Sequence, residues 1–411
     1  MNRREGTTGG GTTSKGEAAA ASRVQRRPSA RLRRDTATAW LFIAPAVLII
    51  AVFGVFPLFF TGYLSLFNWR LRPGPFLGLG NFAEALGPSA WPVVGFVAAV
   101  AGIVGASVLL RRDESSGGSR TGSPRRRVGA ALAALCALLA AACLSEMGRR
   151  GDPDVFASLR VTAWYALLTV PFQLAGGLAL ALLLTRKLAG RQAFRVIYLL
   201  PYVAPTVATA TVFELLFSLQ PQSFANRLLS LAGAHPLQWL QEPSGVIPLL
   251  FGARGLSESH AWWALWAQGP SLALATIVLY SWWVFIGYYA LIYINGLSAI
   301  PRQLYEAAEV DGAGAVRRFF SITVPLLSPT TYFLTLLGVI GTFKAFTQLY
   351  VLRSAAAAGT TDSVSVEVFF TFFRKARLGY ASAIALVLFV IVLALTLVQQ
   401  RTLERGVTYG D

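Results

Sequence analysis

Long apolar runs constrain this chain of 411 residues more than any other feature of its sequence. A helix of about 20 apolar residues crosses a hydrocarbon core of roughly 30 Å. Unpaired backbone groups are costly in lipid, so only helices or closed barrels span a bilayer, and these runs lack the two-residue alternation of barrel strands. We predict eight spans, at about residues 39–67, 92–110, 128–147, 159–184, 196–218, 271–297, 330–352 and 380–399.

The composition indicates the same class of protein. Hydrophobic residues make up 55% of the chain and charged residues 13%, and the mean hydropathy is +0.56. Soluble domains carry about 25% charged residues. We therefore predict an all-α polytopic membrane protein.

The positive charge lies beside the predicted spans. The net charge is +17, and residues 1–38 contain nine Arg and Lys against three acids, while residues 111–127 contain six against two. Basic loops favour the cytoplasmic side and anionic headgroups. We expect a multi-pass protein of the cell membrane, with both termini cytoplasmic, a disordered tail over 1–38 and no nucleic-acid partner. Three basic residues near the end of segment 353–379, which we place outside, are an exception: Arg374, Lys375 and Arg377.

Ionisable and amide side chains inside spans are candidates for a solute pathway. Glu214 and Lys344 are costly to bury in lipid, and Asn295 and Gln348 could hydrogen-bond a hydroxylated solute. Other interpretations stay open, because such residues also join helices, reach toward the interface or pair with one another. The candidate translocation path is Glu214, Asn295, Lys344 and Gln348.

The sequence offers no catalytic or metal-binding pattern. Cys136 and Cys143 lie on one apolar helix and cannot bridge each other, and His235 and His260 lack metal-ligand spacing. The chain also contains no G-x-x-x-x-G-K-[ST] sequence for cradling nucleotide phosphates.

A polar segment of about 30 residues, 300–329, separates two of the apolar runs. Residues 303–310 predict a short helix, which Asp311 and Gly312 end with a turn. Residues 315–324 predict a second helix with Phe319, Phe320 and Ile322 on one apolar face. Prolines then mark the return to the membrane.

This segment resembles the cytoplasmic EAA loop of ABC-importer permeases. The residues that carry the resemblance are Glu306, Ala307, Ala308, Asp311, Gly312, Ala313, Phe319, Ile322, Pro325 and Pro329. In that family the loop docks on the ATP-hydrolysing subunit, so the resemblance implies a coupling role for Glu306, Ala307, Ala308, Asp311, Gly312, Ala313 and Phe319.

The resemblance covers most of residues 38–405 and implies a six-span permease core. Residues 87–150 do not fit that core, and we predict that they form an inserted two-span hairpin with a basic cytoplasmic loop. The predicted layout is a tail at 1–38, the first core span and an external segment at 39–86, the hairpin at 87–150, and the remaining permease core at 151–405 with the coupling loop at 300–329.

The resemblance further implies the permease subunit of an ATP-driven importer, of the sugar type found in maltose and glycerol-3-phosphate systems. The implied partners are a second permease, two nucleotide-binding subunits, an external solute-binding protein and the bilayer. ATP would be used by a partner subunit, so we expect no cofactor on this chain and no enzymatic activity. A permease for glycerol-3-phosphate or another non-sugar solute stays open, as do an ion-coupled transporter and a membrane enzyme.

Overall fold

The computed structural model describes residues 30–115, 124–186, 190–252 and 262–403. Most of the tail predicted at 1–38 and the centre of the basic loop predicted at 111–127 lie outside these residues. The chain forms two compact units, residues 1–60 and 61–411, and each is described by itself.

Most of the described residues are helical. A π-helical turn, Ala51–Val55, joins the first two helices, and a short 3₁₀ turn occupies Trp239–Gln241. The helices are α1 Ala30–Ile50, α2 Phe56–Ser65, α3 Gly80–Leu86, α4 Ala90–Ser115, α5 Pro124–Arg150, α6 Pro153–Thr185, α7 Arg191–Val203, α8 Thr206–Leu216, α9 Phe224–Leu231, α10 Val246–Phe251, α11 Trp262–Ala267, α12 Leu272–Ser298, α13 Arg302–Val310, α14 Ala315–Arg318, α15 Val324–Leu326, α16 Ser328–Phe343, α17 Thr347–Val351, α18 Val364–Phe373 and α19 Leu378–Leu403.

Six described helical segments are long and apolar enough to cross a membrane, and two bent helix pairs raise the number to eight if each pair is one span. The six segments are Thr38–Ser65, Val128–Arg150, Pro153–Thr185, Leu272–Ser298, Ser328–Val351 and Leu378–Arg401. The pair α3 and α4 bends by 69°, and the pair α7 and α8 by 99°. The second bend interrupts the span predicted at 196–218.

Two long helices, α6 and α12, form the centre of the second unit. Three contacts join them. Tyr165 and Ser281 share a hydrogen bond, and the indole of Trp282 donates to the carbonyl of Leu168. A Cβ added to Gly177 would lie 2.6 Å from Tyr289 Cβ. Residues later in α6 contact residues later in α12, so the two helices run parallel. Small residues permit such close approach between membrane helices, where van der Waals packing replaces the hydrophobic effect.

Helices α4 and α5 pack together as an antiparallel hairpin. A Cβ added to Gly95 would lie 2.8 Å from Cys143 Sγ, and one added to Gly102 would lie 2.5 Å from Cys136 Sγ. Each cysteine therefore fills the space above a glycine of the facing helix, which gives both thiols a packing role. At the base of the hairpin, Asp152 N donates to the carbonyl of Ala85 at 3.2 Å, so the chain leaves the hairpin beside the point where it entered.

A network of charged and polar side chains, which we call the clasp, joins this base to the segment between α18 and α19. Lys375 Nζ donates to Asp154 at 3.0 Å and to Glu367 at 2.9 Å. Arg377 donates to Glu84 at 2.6 Å and lies 4.2 Å from the centre of the Tyr380 ring. The clasp comprises Glu84, Asp152, Asp154, Glu367, Lys375, Arg377 and Tyr380, whose hydroxyl donates to Asp152 at 2.6 Å.

The clasp supplies a physical reason for the basic cluster in a segment predicted to lie outside. Lys375 and Arg377 each bind neighbouring carboxylates, so both have a role in joining segments of the fold. Burial by itself lowers the pKa of Lys375, but hydrogen bonds to Glu367 and Asp154, and the charges of these groups, outweigh burial and raise the pKa. The ammonium therefore stays charged at neutral pH.

The close spacing at the base of the hairpin makes a clean deletion possible. A Cβ added to Gly87 would lie 3.6 Å from Gly151 N, so removal of residues 88–150 joins two neighbouring positions. Because the predicted hairpin begins and ends on one side, we expect the deletion to leave loop 186–195 cytoplasmic. Cysteine-accessibility labelling measures this, and labelling of that loop from outside would refute the predicted topology.

Replacing the clasp lysine should destabilise the protein. In Lys375→Met, Glu367 is left buried with only Thr371 as a hydrogen-bond donor among the described residues. We expect the free energy of unfolding to fall by roughly 1–2 kcal/mol, since Lys375 is partly exposed and its pairs are screened by solvent. Thermal unfolding of the purified protein measures the change. The neighbouring exposed Arg374→Met is the control, and equal melting temperatures in the two variants would contradict the role of the clasp.

Candidate functional site

The loop between α12 and α16 is a helical arm at the end of the second unit opposite the clasp. The parallel helices α6 and α12 both start at the clasp end, and α12 runs directly into this loop. Its first helix, α13, follows Pro301, which adopts an extended conformation with ψ 129°. The helix predicted at 303–310 is confirmed, one residue longer at its start.

The end of α13 forms a Schellman motif. Ala313 N donates to the carbonyl of Ala308 at 2.8 Å, and Gly312 N donates to the carbonyl of Glu309 at 3.0 Å. Gly312 has φ +75°, a left-handed conformation that residues with a Cβ rarely adopt. A Cβ at this position would meet no atom within 4 Å, so the backbone conformation rather than space requires the glycine.

Helix α13 has no buried residue, and most of its residues are exposed. Val310 exposes 89% of its surface, and Glu306, Ala307 and Asp311 are also exposed. Ala308 and Ala313 are partly buried where the turn returns toward the unit.

The two glutamates of α13 are paired within the loop. Glu306 lies 3.0 Å from Arg302 Nε, and Glu309 lies 3.2 Å from Arg318 Nη1. These pairs occupy both carboxylates of the helix. Surface ion pairs contribute about 0–1 kcal/mol, so a partner can replace them at little cost.

The second half of the loop differs from the single helix predicted at 315–324. A π-helical turn, Phe319–Thr323, separates α14 from α15. Pro325 follows this turn; proline has no N–H to donate and its ring crowds the preceding turn of an α-helix, which the wider π turn relieves. Phe319 is partly buried whereas Phe320 is 65% exposed, and the centres of the two rings are 4.9 Å apart.

The loop is fixed to the helices beneath it. The hydroxyls of Tyr305 and Thr323 are 2.9 Å apart and join its two halves. Leu327 is 1% exposed in a cluster with Leu297 and Ile300, at the point where α12 enters the loop and α16 leaves it. The loop is therefore a stiff arm on these two helices.

Two interrupted spans meet in the second unit. The bend between α7 and α8 lies at Ala204 and Pro205, and a second break between α16 and α17 lies at Lys344–Phe346. Ala210 and Phe213 of α8 share one hydrophobic cluster with Ala345 and Leu349 beside the second break. Interrupted helices in transporters expose backbone and side-chain polar groups where solutes bind.

Neighbouring hydroxyls satisfy the carbonyls freed at the second break. Ser363 Oγ donates to the carbonyl of Ala345 at 2.9 Å, and Ser365 Oγ donates to the carbonyl of Phe343 at 3.3 Å. This break is therefore a stable part of the fold, as membrane helices tolerate breaks only when such partners exist. At the first bend, the hydroxyl of Tyr280 donates to the carbonyl of Thr206 at 3.2 Å and joins α12 to the start of α8.

Two of the four candidate path residues, Lys344 and Gln348, lie at the second break, and a third, Glu214, lies on α8, nine residues after the first bend. Glu214 is exposed on α8, Lys344 is exposed at the end of α16, and Gln348 is partly buried on α17. Among the described residues, no ion pair involves Glu214 or Lys344. The side chains of these residues remain available on the surface of the unit.

Asn295 lies apart from the other three. It is exposed in the last turn of α12, 14 residues after Ser281, which corresponds to about 21 Å along the helix axis. Its position is beside the loop rather than at the breaks. A role of Asn295 in the path stays a prediction.

A buried polar group that the sequence analysis did not single out connects the breaks to the centre of the fold. Tyr165 and Ser281 are almost fully buried and bond each other at 2.7 Å, and Gln348 Nε2 donates to the hydroxyl of Tyr165 at 3.1 Å. The available signal was the spacing of Thr162, Tyr165, Thr169 and Gln173, which places polar side chains on one face of α6.

A cleft of about 460 Å³ lies elsewhere, at the base of the hairpin. It is lined by Ala83, Glu84, Pro88, Arg150, Gly151 and Asp152. None of the candidate path residues lines it.

Residues 173–409 match the family described as the binding-protein-dependent transport system inner membrane component. The trehalose/maltose transport system permease protein MalF of Thermococcus litoralis is 32% identical over 238 residues, covering 58% of this chain and 71% of that protein. The sn-glycerol-3-phosphate transport system permease protein UgpA of Agrobacterium fabrum is 31% identical over 263 residues, covering 63% of this chain and 79% of that protein.

The fold is similar to that of a solved structure, a bacterial ABC transporter involved in the import of the acidic polysaccharide alginate. The TM-score is 0.59 at 18% identity, and the likeness covers 91% of this chain and 99% of that chain. The predicted all-α permease fold is thereby confirmed. Since the family match covers more than half of the chain and includes the loop and both interrupted spans, this chain belongs to the inner membrane components of binding-protein-dependent transport systems.

Proposed function

We propose that this chain is the permease subunit of an ATP-driven importer and forms part of the pathway for a carbohydrate or similar polyhydroxylated solute. The observation that carries the proposal is the exposed, capped helix α13 on a stiff arm at one end of the unit. The solute class is supported by relatives named for transport of trehalose and maltose, of arabinooligosaccharides and of sn-glycerol-3-phosphate.

The importer needs further subunits. We propose a second permease to complete the pathway, two nucleotide-binding subunits that hydrolyse ATP, and an external solute-binding protein that delivers the solute. The sequence has no phosphate-binding G-x-x-x-x-G-K-[ST] motif, so ATP would bind the partner subunits and this chain would need no cofactor.

The arm would convert movement of an ATPase subunit into movement of the path. A force on α13 passes through the Tyr305–Thr323 bond and the Leu327 cluster into α12 and α16. Helix α12 carries Ser281, and α16 ends at the break that carries Lys344. Rigid-body rotation of these helices would open the path first to one side and then to the other.

The turn after α13 supplies the main test of coupling. Gly312→Pro cannot adopt φ +75° and removes the N–H that bonds Glu309, so the arm should lose its shape. We expect uptake and co-purification of the ATPase to fall to below about a tenth of wild type, with normal amounts of the chain in the membrane.

Gly314→Ala is the matched control for this variant. Gly314 has φ −66°, and a Cβ there would meet no atom within 4 Å, so alanine is tolerated. Wild-type uptake and ATPase co-purification in Gly312→Pro would exclude the coupling role of the loop.

The ammonium of Lys344 is exposed at the second break, where it would favour anionic solutes. This observation supports the alternative of a phosphorylated solute. In Lys344→Met no described ion pair is lost, so we expect an unchanged amount of assembled protein. Uptake of sn-glycerol 3-phosphate or an acidic sugar should fall roughly tenfold or more, the loss expected for a charged hydrogen bond, and a neutral sugar should be affected less.

Lys344→Arg keeps the charge and serves as the control. A reduced level of Lys344→Met that is restored by adding Glu214→Leu would instead indicate an ion pair between these residues. Normal uptake of both solute types in Lys344→Met would exclude Lys344 from the path.

A further inference from the structure

Three side chains from three different helices form a directed chain of hydrogen bonds beside the second break. Gln348 Nε2 on α17 donates to the hydroxyl of Tyr165 on α6 at 3.1 Å. That hydroxyl lies 2.7 Å from Ser281 Oγ on α12, and Ser281 Oγ donates to the carbonyl of Ile277 at 3.0 Å. We call these three side chains the relay.

One arrangement of protons satisfies the whole relay. With the amide of Gln348 donating to Tyr165, the tyrosine proton can be donated to Ser281, and the proton of Ser281 to the Ile277 carbonyl. Each hydroxyl then donates one hydrogen bond and accepts one. Each bond polarises the next, which strengthens the preferred orientation.

Burial is graded along the relay. Ser281 and Tyr165 are 0% and 1% exposed, whereas Gln348 is only partly buried. Among the described residues, nothing donates to Gln348 Oε1, and its second N–H has no acceptor. The buried pair thus holds the amide at the edge of the unit with one acceptor and one donor unused.

We propose that Gln348 contacts the hydroxyls of the transported solute, and that Tyr165 and Ser281 are positioning residues that fix its amide. A ring hydroxyl can donate to Oε1 and accept from the second N–H, so the site fits a neutral polyhydroxylated solute. This inference rests on the proposed function, since it requires that the break at Lys344–Phe346 lines the path. In this inference Gln348 recognises the hydroxyls of the solute, whereas Lys344 recognises negative charge.

The test uses the assembled transporter in proteoliposomes, with its binding protein and radiolabelled maltose, trehalose or arabinotriose at saturating concentration. The measured quantities are the maximal uptake rate and the number of solute molecules moved per ATP hydrolysed. Losing one neutral hydrogen bond corresponds to a rate reduction of roughly 2- to 10-fold. We expect this reduction in Gln348→Leu, and a smaller one in Tyr165→Phe and Ser281→Ala.

The decisive readout is the double variant Tyr165→Phe/Gln348→Leu. If Tyr165 acts only through Gln348, the double variant transports at the rate of Gln348→Leu alone. A purely structural role of Tyr165 would instead multiply the two reductions. Tyr293→Phe is the matched control, because Tyr293 is equally buried and loses one bond to a neutral hydroxyl, Thr331, away from the breaks. We expect its solute-to-ATP ratio to be that of wild type.

Each contrary result has a distinct meaning. Wild-type uptake by Gln348→Leu, or multiplied reductions in the double variant, would overturn the inference while leaving the proposed function intact. If the wild-type transporter moves none of the three sugars, the proposed solute class fails, and the inference fails with it.

Discussion

The close parallel contact between α6 and α12 is the constraint on which the other features depend. In a bilayer, helices are held together by van der Waals contact and hydrogen bonds rather than by the hydrophobic effect. Gly177 lets the two helices approach, and the Tyr165–Ser281 bond joins them in their buried centre. Because these helices also begin near the clasp and α12 ends at the loop, their contact connects both ends of the second unit.

The interrupted spans pack on these two helices. A break frees carbonyls that lipid cannot satisfy, and the structure supplies Ser363 and Ser365 as donors at the second break. With its backbone satisfied, the second break can hold polar side chains at a fixed place. The arm at α13 lies on the same two helices, α12 and α16, so movement of the arm and a change in the path would be one event.

The sequence predicted the helices well because long apolar runs and proline or glycine boundaries are local signals. It also predicted the capped helix at 303–310, since Asp311 and Gly312 mark its end directly. The 99° bend, the π turn at Phe319–Thr323 and the relay were not predicted. Each depends on contacts between segments far apart in the chain: Gln348 and Tyr165, for example, are separated by 183 residues. The coupling role and the path residues stay predictions.

The central claim is that α13 docks on an ATP-hydrolysing subunit, and a photo-crosslinker at its most exposed apolar position tests it most directly. We would place the crosslinker at Val310, which is 89% exposed, and at Val94 of the hairpin, which is 65% exposed, as a control. After illumination in native membranes, the adducts are identified by mass spectrometry. The prediction is an adduct at Val310, and not at Val94, with a protein that contains a G-x-x-x-x-G-K-[ST] motif. An adduct of that protein at neither position, or at Val94 alone, would contradict the claim.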